Sequence, residues 1–346
     1  MNARIDRLRA LLEQPLLVTT PKNVVYLTGF KSSNAAVLVD GERVQLFTDF
    51  RYIEAASGVP DVEVVETERS LLPALAARLN GQTVGFEAST LTYASWEILR
   101  DSLQAVPTYG LVEQLRAVKD EGELDAIRRA CTITDRVFER LTEVPFVGRS
   151  ELDVSWDLTQ LFHEEGGEEL AFESIVGAGP TGARPHARAG ERTIGPGELV
   201  VIDAGCTVDG YASDYTRTFA TGPLDGEAKE AYQTVLSAQL AALEGIHAGL
   251  TGVQADALAR RVIDDSPFAG RFGHGLGHGL GLDVHEKPTL STLASDDPLV
   301  PGNVVTVEPG VYLEGRFGIR IEDDVVVTDD GVENLTGFRK DLIEVG

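Results

Sequence analysis

Two segments of the sequence repeat one pattern, in which an apolar run beside glycine-containing turns ends on an acidic residue. Residues 196–205 read PGELVVIDAG and residues 301–310 read PGNVVTVEPG, so the runs end on Asp203 and on Glu308, 105 positions apart. Runs of this type are typical of buried strands, where a negative charge costs several kcal/mol unless a cation or a proton compensates it. The repetition therefore indicates that two buried carboxylates share a metal.

Each of these acids has a second acid on the far side of a glycine-containing turn. Asp203 and Asp214 are equidistant from a turn centred on Val208-Asp209. Glu308 and Glu322 are equidistant from a turn centred on Gly315. Because residues equidistant from the turn of an antiparallel hairpin face each other with Cβ atoms about 5 Å apart, we expect each hairpin to carry two carboxylates on one face. Solvated acids on ordinary hairpins are the alternative, but they would not explain the duplication or the apolar flanks.

Histidines accompany the two predicted hairpins. Residues 272–286 read FGHGLGHGLGLDVHE and contain three of the six histidines, and His186 precedes the first hairpin. Glycine lets the backbone approach an ion closely, and imidazole is a frequent metal ligand. Four carboxylates and one imidazole suit two divalent cations, with manganese favoured by the oxygen-rich set and cobalt or zinc as alternatives. Two metals about 4 Å apart can activate a water for hydrolysis.

The motifs around these residues together resemble those of the pita-bread metallopeptidases (family M24), in particular the Xaa-Pro branch that contains prolidase and aminopeptidase P. The resemblance covers about residues 115–345 and rests on VIDAG at 201–205, SDYTRT at 213–218, GHGLGLDVHE at 277–286, EPGVY at 308–312 and IRIED at 319–323. It implies that the metal ligands are Asp203, Asp214, His278, Glu308 and Glu322. It also implies that His186 and His285 contact the substrate and help to stabilise or protonate the intermediate, with Tyr312 and Arg320 in support.

Cleavage of a peptide bond gives these implied roles a chemical content. The reaction requires an activated water, a Lewis acid at the carbonyl oxygen and a proton for the leaving nitrogen, and metals supply the first two. The nitrogen of an Xaa-Pro bond carries no N–H, so the site must recognise the proline ring by shape. An imidazole such as that of His186 or His285 can donate a hydrogen bond to the developing oxyanion or transfer the proton, although structural packing is the alternative for both.

The length of the substrate is the hardest property to predict. A dipeptide presents a free proline carboxylate, and Arg51 is the candidate in the N-terminal region to bind it because a guanidinium can hold a carboxylate with two hydrogen bonds. Arg43 is a weaker alternative for the same role. Position 289 is a threonine where the prolidases that the chain resembles often carry arginine, and residues 29–36 (GFKSSNAA) are closer to the aminopeptidase-like group. Chain length favours an Xaa-Pro dipeptidase (prolidase), and an aminopeptidase P that acts on longer Xaa-Pro peptides is the alternative.

The same resemblance includes proteins with other functions. Creatinase has this fold without the five metal ligands, and the catalytically inactive binding modules of this fold, which are the alternative from another functional class, usually lose ligands and gain basic extensions. Methionine aminopeptidase is a nearer rival, but the N-terminal region and the surroundings of His186 favour the proline-specific branch. Pro288 prevents the helix that a zincin site would require. We assign His274, which is outside the implied ligand set, to packing.

Several secondary-structure elements must position these residues. Short apolar runs predict strands at 16–18, 36–39, 44–47, 62–65 and 84–86, and amphipathic stretches predict helices at 119–141, 152–165, 225–248 and 253–265. We therefore predict an α/β (α+β) protein with two domains. Residues 1–112 would form a small creatinase-like α/β domain, and residues 113–346 would form a pita-bread catalytic domain in which two helix-then-hairpin halves surround a curved sheet.

The composition agrees with a two-domain globular enzyme of 346 residues, of which 43% are hydrophobic. The 30 basic and 55 acidic residues give a formal net charge of −25, which disfavours nucleic acid and anionic membranes as partners. Two cysteines without pair spacing and an N-terminus without an apolar signal core predict a cytoplasmic protein. We further expect a homodimer that acts on Xaa-Pro dipeptides or short proline-containing peptides.

Overall fold

The fold is described by a computed structural model that covers residues 3–346. These residues divide into two compact units, one ending at Arg116 and the other running from Ala117 to Gly346. Each unit has its own hydrophobic core.

In the part of the chain that is described, the N-terminal unit contains one six-stranded sheet with the order β4-β3-β2-β1-β5-β6. Its strands are β1 (Leu16–Val18), β2 (Ala35–Val39), β3 (Val44–Asp49), β4 (Glu63–Thr67), β5 (Thr83–Glu87) and β6 (Gln104–Thr108), and its helices are α1 (Ala3–Arg9), α2 (Pro21–Thr28), α3 (Ile53–Ala56), α4 (Leu71–Arg78), α5 (Tyr93–Arg100) and α6 (Leu111–Arg116). Strand β2 is antiparallel to both of its neighbours, and the other pairs of adjacent strands are parallel.

The predicted strands of this unit are all present, and β6 is an additional one. Its sequence includes Pro107, which cannot donate a ladder hydrogen bond and is tolerated because β6 is at the edge of the sheet. Helix α6 packs within the same unit: Val112 is buried, and Arg116 donates a 2.8 Å hydrogen bond from Nη1 to Oδ1 of Asn23. The sequence pattern predicts the division between the units at residue 112. In the structure the division lies after Arg116.

The C-terminal unit is built from two helical pairs and two main sheets. Its helices are α7 (Glu121–Leu141), α8 (Glu151–Glu165), α9 (Gly226–Gly245) and α10 (Gly252–Asp264), and its strands are β7 (Ile175–Ala178), β8 (Leu199–Ala204), β9 (Thr207–Val208), β10 (Tyr211–Ala212), β11 (Tyr215–Ala220), β12 (Gly277–Gly279), β13 (Glu286–Leu290), β14 (Val304–Val307), β15 (Gly310–Leu313), β16 (Phe317–Arg320), β17 (Asp323–Val327), β18 (Val332–Asn334) and β19 (Ile343–Glu344). The sheets have the orders β19-β11-β8-β7 and β13-β12-β14-β17-β18.

The helices begin where the sequence supplies caps. Asp120, Ser150 and Thr251 each form a capping box at the start of α7, α8 and α10, in which the side chain and backbone of the cap exchange hydrogen bonds with the third helical residue. All four predicted long helices are present, with ends within a few residues of those expected. Over residues 3–346, no helix is both long and apolar enough to cross a membrane.

The two halves of the C-terminal unit repeat the same arrangement of a helical pair and an antiparallel strand pair. Helices α7 and α8 pack with β7, β8 and β11 around a core that includes Phe138 and Leu158. Helices α9 and α10 pack with β14 and β17 around a second core that includes Val235 and Ile263. This architecture agrees with the predicted mixed α/β class and with the internal repeat.

The predicted register of the first hairpin is wrong by two residues. Asp203 on β8 lies opposite Thr216 on β11, and not opposite Asp214. The turn is centred on Asp209 and Gly210, whose φ angles of 52° and 85° suit a two-residue Asp-Gly hairpin turn with two positive φ angles. Because the shift is an even number of residues, it leaves the side chain of Asp214 on the face that was predicted.

The register of the second hairpin is as predicted. Val307 pairs with Asp323 at the end of the β14–β17 ladder, and Gly310 pairs with Arg320 at the start of the β15–β16 ladder. Both ladders have the same register, so Glu308 and Glu322 lie opposite each other between them.

Candidate active site

A cavity of about 610 Å³ in the C-terminal unit brings together residues from both halves of the repeat. Eight of the residues predicted for the site line it: Asp203, Asp214, His278, Glu308, Glu322, His186, His285 and Arg320. Tyr312, the ninth predicted residue of this unit, contacts the cavity lining through Arg320.

The acidic residues and one histidine approach one another closely. One possible ligand atom from each of Asp214, His278 and Glu322 lies within 4.8 Å of the other two. Nε2 of His278 is 3.4 Å from Oε1 of Glu308 and 3.7 Å from Oδ2 of Asp214. Asp203 joins the group through Arg320, which donates a 2.7 Å hydrogen bond from Nη2 to its Oδ2.

Burial and mutual repulsion raise the carboxyl pKa values. Burial, followed by the charge of Glu322, raises the pKa of Asp214 well above its usual range. Burial, followed by the charge of Glu308, does the same to the pKa of Glu322. Burial raises the pKa of Glu308 to about 7, although Arg320 opposes the shift. A divalent cation would relieve this repulsion, because it stabilises the deprotonated form of each acid that it binds.

The tautomer of His278 also suits a metal ligand. Its Nδ1 lies 3.2 Å from the carbonyl oxygen of Gly279, so Nδ1 carries the proton and Nε2 presents a lone pair to the carboxylates. Burial lowers the pKa of His278 to about 4, which keeps the ring neutral. Among the described residues, the buried Oδ1 of Asp203 has no hydrogen-bond partner, which leaves it available to a cation. The residues present therefore fit a divalent metal site.

Glycine is required on both sides of His278. A Cβ atom on Gly277 would overlap the carbonyl oxygen of Thr306, and one on Gly279 would overlap the carbonyl oxygen of Lys287. The neighbouring strands can therefore approach this closely only because neither position has a side chain. Their close approach holds the imidazole of His278 at the cavity.

A series of hydrogen bonds through Arg320 holds the carboxylates of the cavity in position. Arg320 donates from Nη1 to the hydroxyl oxygen of Tyr312 at 2.8 Å, and from Nε to Oγ1 of Thr216 at 2.8 Å. Thr216 in turn donates a 2.6 Å hydrogen bond to Oε2 of Glu322. Burial raises the pKa of Tyr312 to about 12, so its hydroxyl keeps its proton.

His274 was assigned to packing, but it belongs to this chain of hydrogen bonds and lines the cavity. Its Nδ1 lies 2.8 Å from the carbonyl oxygen of Gly275 and is therefore the protonated nitrogen. Its Nε2 accepts a 2.9 Å hydrogen bond from the hydroxyl of Tyr312. Burial lowers the pKa of His274 to about 4, consistent with a neutral ring. Sequence spacing could not reveal this contact because Tyr312 is 38 positions away.

A partly buried ion pair on α10 holds the glycine-rich segment that carries the histidines. Arg260 pairs with Asp256 and donates hydrogen bonds to the carbonyl oxygens of Phe272 and His274. Asp256 accepts a 3.0 Å hydrogen bond from the backbone N–H of Leu276. The helix therefore fixes the course of the backbone just before His278.

The remaining predicted site residues differ in their surroundings. His186 and His285 are exposed to the cavity, and the ring of His285 lies 4.0 Å from that of His278 between centroids. Arg51 is in the N-terminal unit, where Nε and Nη2 donate to the two oxygens of the buried carboxylate of Asp49. This pairing holds the pKa of Asp49 well below its usual range.

Comparison with known proteins gives concordant results. The sequence model described as Metallopeptidase family M24 matches residues 125–329, and the one described as Creatinase/Prolidase N-terminal domain matches residues 4–118. A Bacillus subtilis (strain 168) protein named Uncharacterized peptidase YqhT is 37% identical over 351 residues, which cover 98% of this chain and 99% of that protein.

Solved structures are similar over the same extent. The structure titled Xaa-Pro dipeptidase from Bacillus anthracis is 38% identical, with a TM-score of 0.94 and coverage of 99% of both chains. The structure titled X-Pro aminopeptidase from Thermotoga maritima MSB8 is 34% identical, with a TM-score of 0.91 and coverage of 99% of this chain and 100% of that chain.

These matches include every acidic residue and histidine that lines the cavity. Membership of this family implies divalent metal cofactors, in agreement with the group formed by Asp214, His278 and Glu322. The chain therefore belongs to metallopeptidase family M24, carries a creatinase/prolidase N-terminal domain and is a peptidase.

Proposed function

We propose that the protein hydrolyses the peptide bond that precedes proline and that Xaa-Pro dipeptides are its preferred substrates. The observation that carries the proposal is the convergence of four carboxylates and one neutral imidazole on a single cavity. The 38% identity to a protein titled Xaa-Pro dipeptidase, over 99% of both chains, supports the choice of bond.

We assign two divalent ions, with manganese as the first choice, to Asp203, Asp214, His278, Glu308 and Glu322. When bound, such ions polarise the peptide carbonyl and lower the pKa of the water that attacks it. The raised carboxyl pKa values and the unpartnered Oδ1 of Asp203 support this assignment, because both describe groups that gain from a cation.

The protein side chains supply binding and proton transfer. His186 and His285 are exposed to the cavity and are assigned to the substrate, where an imidazole can donate a hydrogen bond to the developing oxyanion or pass a proton to the proline nitrogen. Arg320 and Tyr312 orient Asp203. His274 accepts a hydrogen bond from the hydroxyl of Tyr312 and so holds that hydroxyl in place.

A preference for longer peptides is the second candidate function. It is favoured by the similarity to a structure titled X-Pro aminopeptidase, which covers 99% of this chain with a TM-score of 0.91. Both candidates use the same residues for hydrolysis, and they differ in whether the substrate ends at proline or continues beyond it. The homodimer and the cytoplasmic location remain predictions from the sequence.

Hydrolysis of Ala-Pro, Ala-Pro-Ala and Ala-Ala in parallel tests both candidates. The protein is assayed with manganese, cobalt or zinc and again after treatment with a chelator. We expect Ala-Pro to be cleaved fastest, Ala-Ala to be resistant and the chelator to abolish activity. Faster cleavage of Ala-Pro-Ala would identify the aminopeptidase, and resistance of both proline peptides with all three metals would refute the proposal.

A further inference from the structure

Two cationic side chains, Arg320 and Arg188, line the cavity within the described residues of the C-terminal unit. The guanidinium of Arg320 is buried and donates to Asp203, Thr216, Tyr312 and the carbonyl oxygen of Pro185. It therefore has little capacity for a further anion. The side chain of Arg188 is 83% exposed and belongs to a loop outside the motifs that predict the metal site.

The acidic side chains of the cavity can also be divided into buried groups with partners and one exposed group. Asp203, Asp214, Glu308 and Glu322 are the proposed metal ligands, and Glu286 is buried in an ion pair with Lys119. Glu173, which is 70% exposed, lies 3.6 Å from Nε of Arg188 through its Oε2. The cavity wall thus carries one accessible ion pair in the described chain, formed by Glu173 and Arg188.

We propose that Arg188 binds the free carboxylate of the dipeptide substrate and that Glu173 occupies the guanidinium when no substrate is bound. This inference rests on the proposed function. Glu173 pairs with Arg188 and both residues line the cavity, so a substrate carboxylate that binds Arg188 would take the place of Glu173. Bidentate binding by the planar guanidinium would favour the terminal carboxylate over a single neutral oxygen.

The exchange of one carboxylate for the other is physically easy. An ion pair between two largely exposed side chains contributes little net free energy, because water solvates both charges and both side chains are flexible. A substrate held at the same time by the metal site and by the histidines brings its carboxylate to Arg188 at a high effective concentration, which favours displacement of Glu173.

The loop geometry links this role to the rest of the site. Ala187 is buried between His186 and Arg188, and both of these exposed residues line the cavity. A turn hydrogen bond from the N–H of Ala187 to the carbonyl oxygen of Arg184, and the bond from Arg320 to Pro185, hold the loop in place. The imidazole proposed to contact the scissile bond and the guanidinium proposed to bind the carboxylate are therefore only two residues apart on a fixed segment.

Arg188→Gln tests the inference with two substrates that differ only in charge. Ala-Pro has a free carboxylate, whereas alanyl-prolinamide presents a neutral amide at the same position. We expect Arg188→Gln to raise KM for Ala-Pro by about fivefold, as for the loss of an ion pair at a largely exposed guanidinium, and to change KM for the amide less than about twofold. The value of kcat should change little for either substrate, because the reacting atoms are not touched.

Arg184→Gln is the matched control, because Arg184 is an exposed arginine of the same loop that is not among the described residues lining the cavity. It should leave KM unchanged for both substrates. Glu173→Gln should lower KM for Ala-Pro, since it frees Arg188 from a competing carboxylate. Thermal melting of each variant establishes that the fold is retained, and calorimetric titration with L-proline and L-prolinamide gives a binding measurement that does not depend on turnover.

The possible failures are distinguishable. If the wild-type protein cleaves neither substrate, the proposed function fails and this inference falls with it. If the wild-type protein cleaves both but Arg188→Gln raises KM equally for the acid and the amide, or for neither, only the assignment of Arg188 is overturned.

Discussion

Nε2 of His278 lies 3.4 Å from Oε1 of Glu308, and the imidazole has no proton on Nε2 to bridge the two atoms. The proton of the imidazole is on Nδ1, where it is donated to the carbonyl oxygen of Gly279. A nitrogen lone pair and a carboxylate oxygen thus face each other across the cavity. The arrangement is favourable when a cation, or a proton on Glu308, lies between the two atoms, and it is unfavourable when Glu308 is ionised and no cation is bound.

Removal of a proposed ligand should abolish activity without unfolding the protein. We expect Asp203→Asn to lower the rate of Ala-Pro hydrolysis by about 100-fold or more and to reduce the bound metal, because the amide cannot neutralise a cation. His278→Ala should behave similarly. Elemental analysis gives the metal content, and circular dichroism reports the fold.

Asp209→Asn is a suitable control for Asp203→Asn. Asp209 is on the same hairpin at the exposed turn, and asparagine tolerates its positive φ angle. Full turnover by Asp203→Asn, or an equal loss in the control, would contradict the proposed site.

The stability of the metal-free protein should depend on the ionisation of Glu308. Its pKa is raised from 4.5 to about 7 in the folded state, so protonation of this group stabilises the fold below about pH 4.5, and this contribution is lost as the pH rises through 7. Glu308→Gln should therefore melt at a higher temperature than the wild type at pH 8, with the difference reduced at pH 5. Both proteins are compared after chelation.

Manganese should reverse the pH trend of the wild-type protein. Protons compete with the metal for the buried carboxylates, so the increase in melting temperature on addition of manganese should be larger at pH 8 than at pH 5. An equal increase at both pH values would show that these carboxyls do not bind the ion.

Substitution of Gly277 should disrupt the site through its backbone. In Gly277→Ala the new methyl group would overlap the carbonyl oxygen of Thr306, which displaces the strand that carries His278. We expect a loss of about 1–3 kcal/mol in the free energy of unfolding, as for other overpacked positions, together with weaker metal binding. Gly273→Ala is the control, since a Cβ atom on Gly273 meets nothing within 4 Å. Equal stability of the two variants, measured by urea unfolding, would exclude this explanation.

Arg51→Ala tests the prediction from the sequence that the guanidinium of Arg51 binds the substrate carboxylate, the role that we propose for Arg188. That prediction requires KM to rise more for Ala-Pro than for Ala-Pro-Ala. An equal effect on both peptides would remove Arg51 from the substrate site. Independently of its role in binding, the loss of Arg51 removes a bidentate partner of the buried Asp49, so we expect a lower melting temperature. Arg100→Ala is a control, because Arg100 is exposed in the same unit and pairs with the exposed Asp101.

The elements that the sequence predicts well are those with strong local signals. Long amphipathic stretches with acidic or hydroxyl caps became α7, α8, α9 and α10, and the apolar runs became strands. The register of the second hairpin agrees with the prediction because Gly315, midway between Glu308 and Glu322, lies at the turn and adopts a positive φ angle there. In the first hairpin, Asp209 and Gly210 form the turn, so the Asp-Gly dipeptide indicates the register and the midpoint between the two acids does not.

Contacts between distant segments could not be predicted in this way. Nothing local to His274 indicates that it accepts a hydrogen bond from Tyr312, and nothing local to Arg188 distinguishes it from an ordinary surface arginine. Both depend on which loops the fold brings to one cavity. The convergence of Asp203, Asp214, Glu308 and Glu322 on one cavity is an exception, because the chain repeats the pattern that carries these acids and the repeat predicts that the two copies meet.

The register of the two hairpins also limits how their tips can change in length. Side chains alternate between the faces of a strand, so inserting a single residue at the Asp209-Gly210 tip would turn one acid of the pair away from its partners unless a bulge absorbed the change. Insertion of two residues would preserve the alternation. An insert that extends the hairpin by whole pairs of residues would therefore leave both acids facing the cavity.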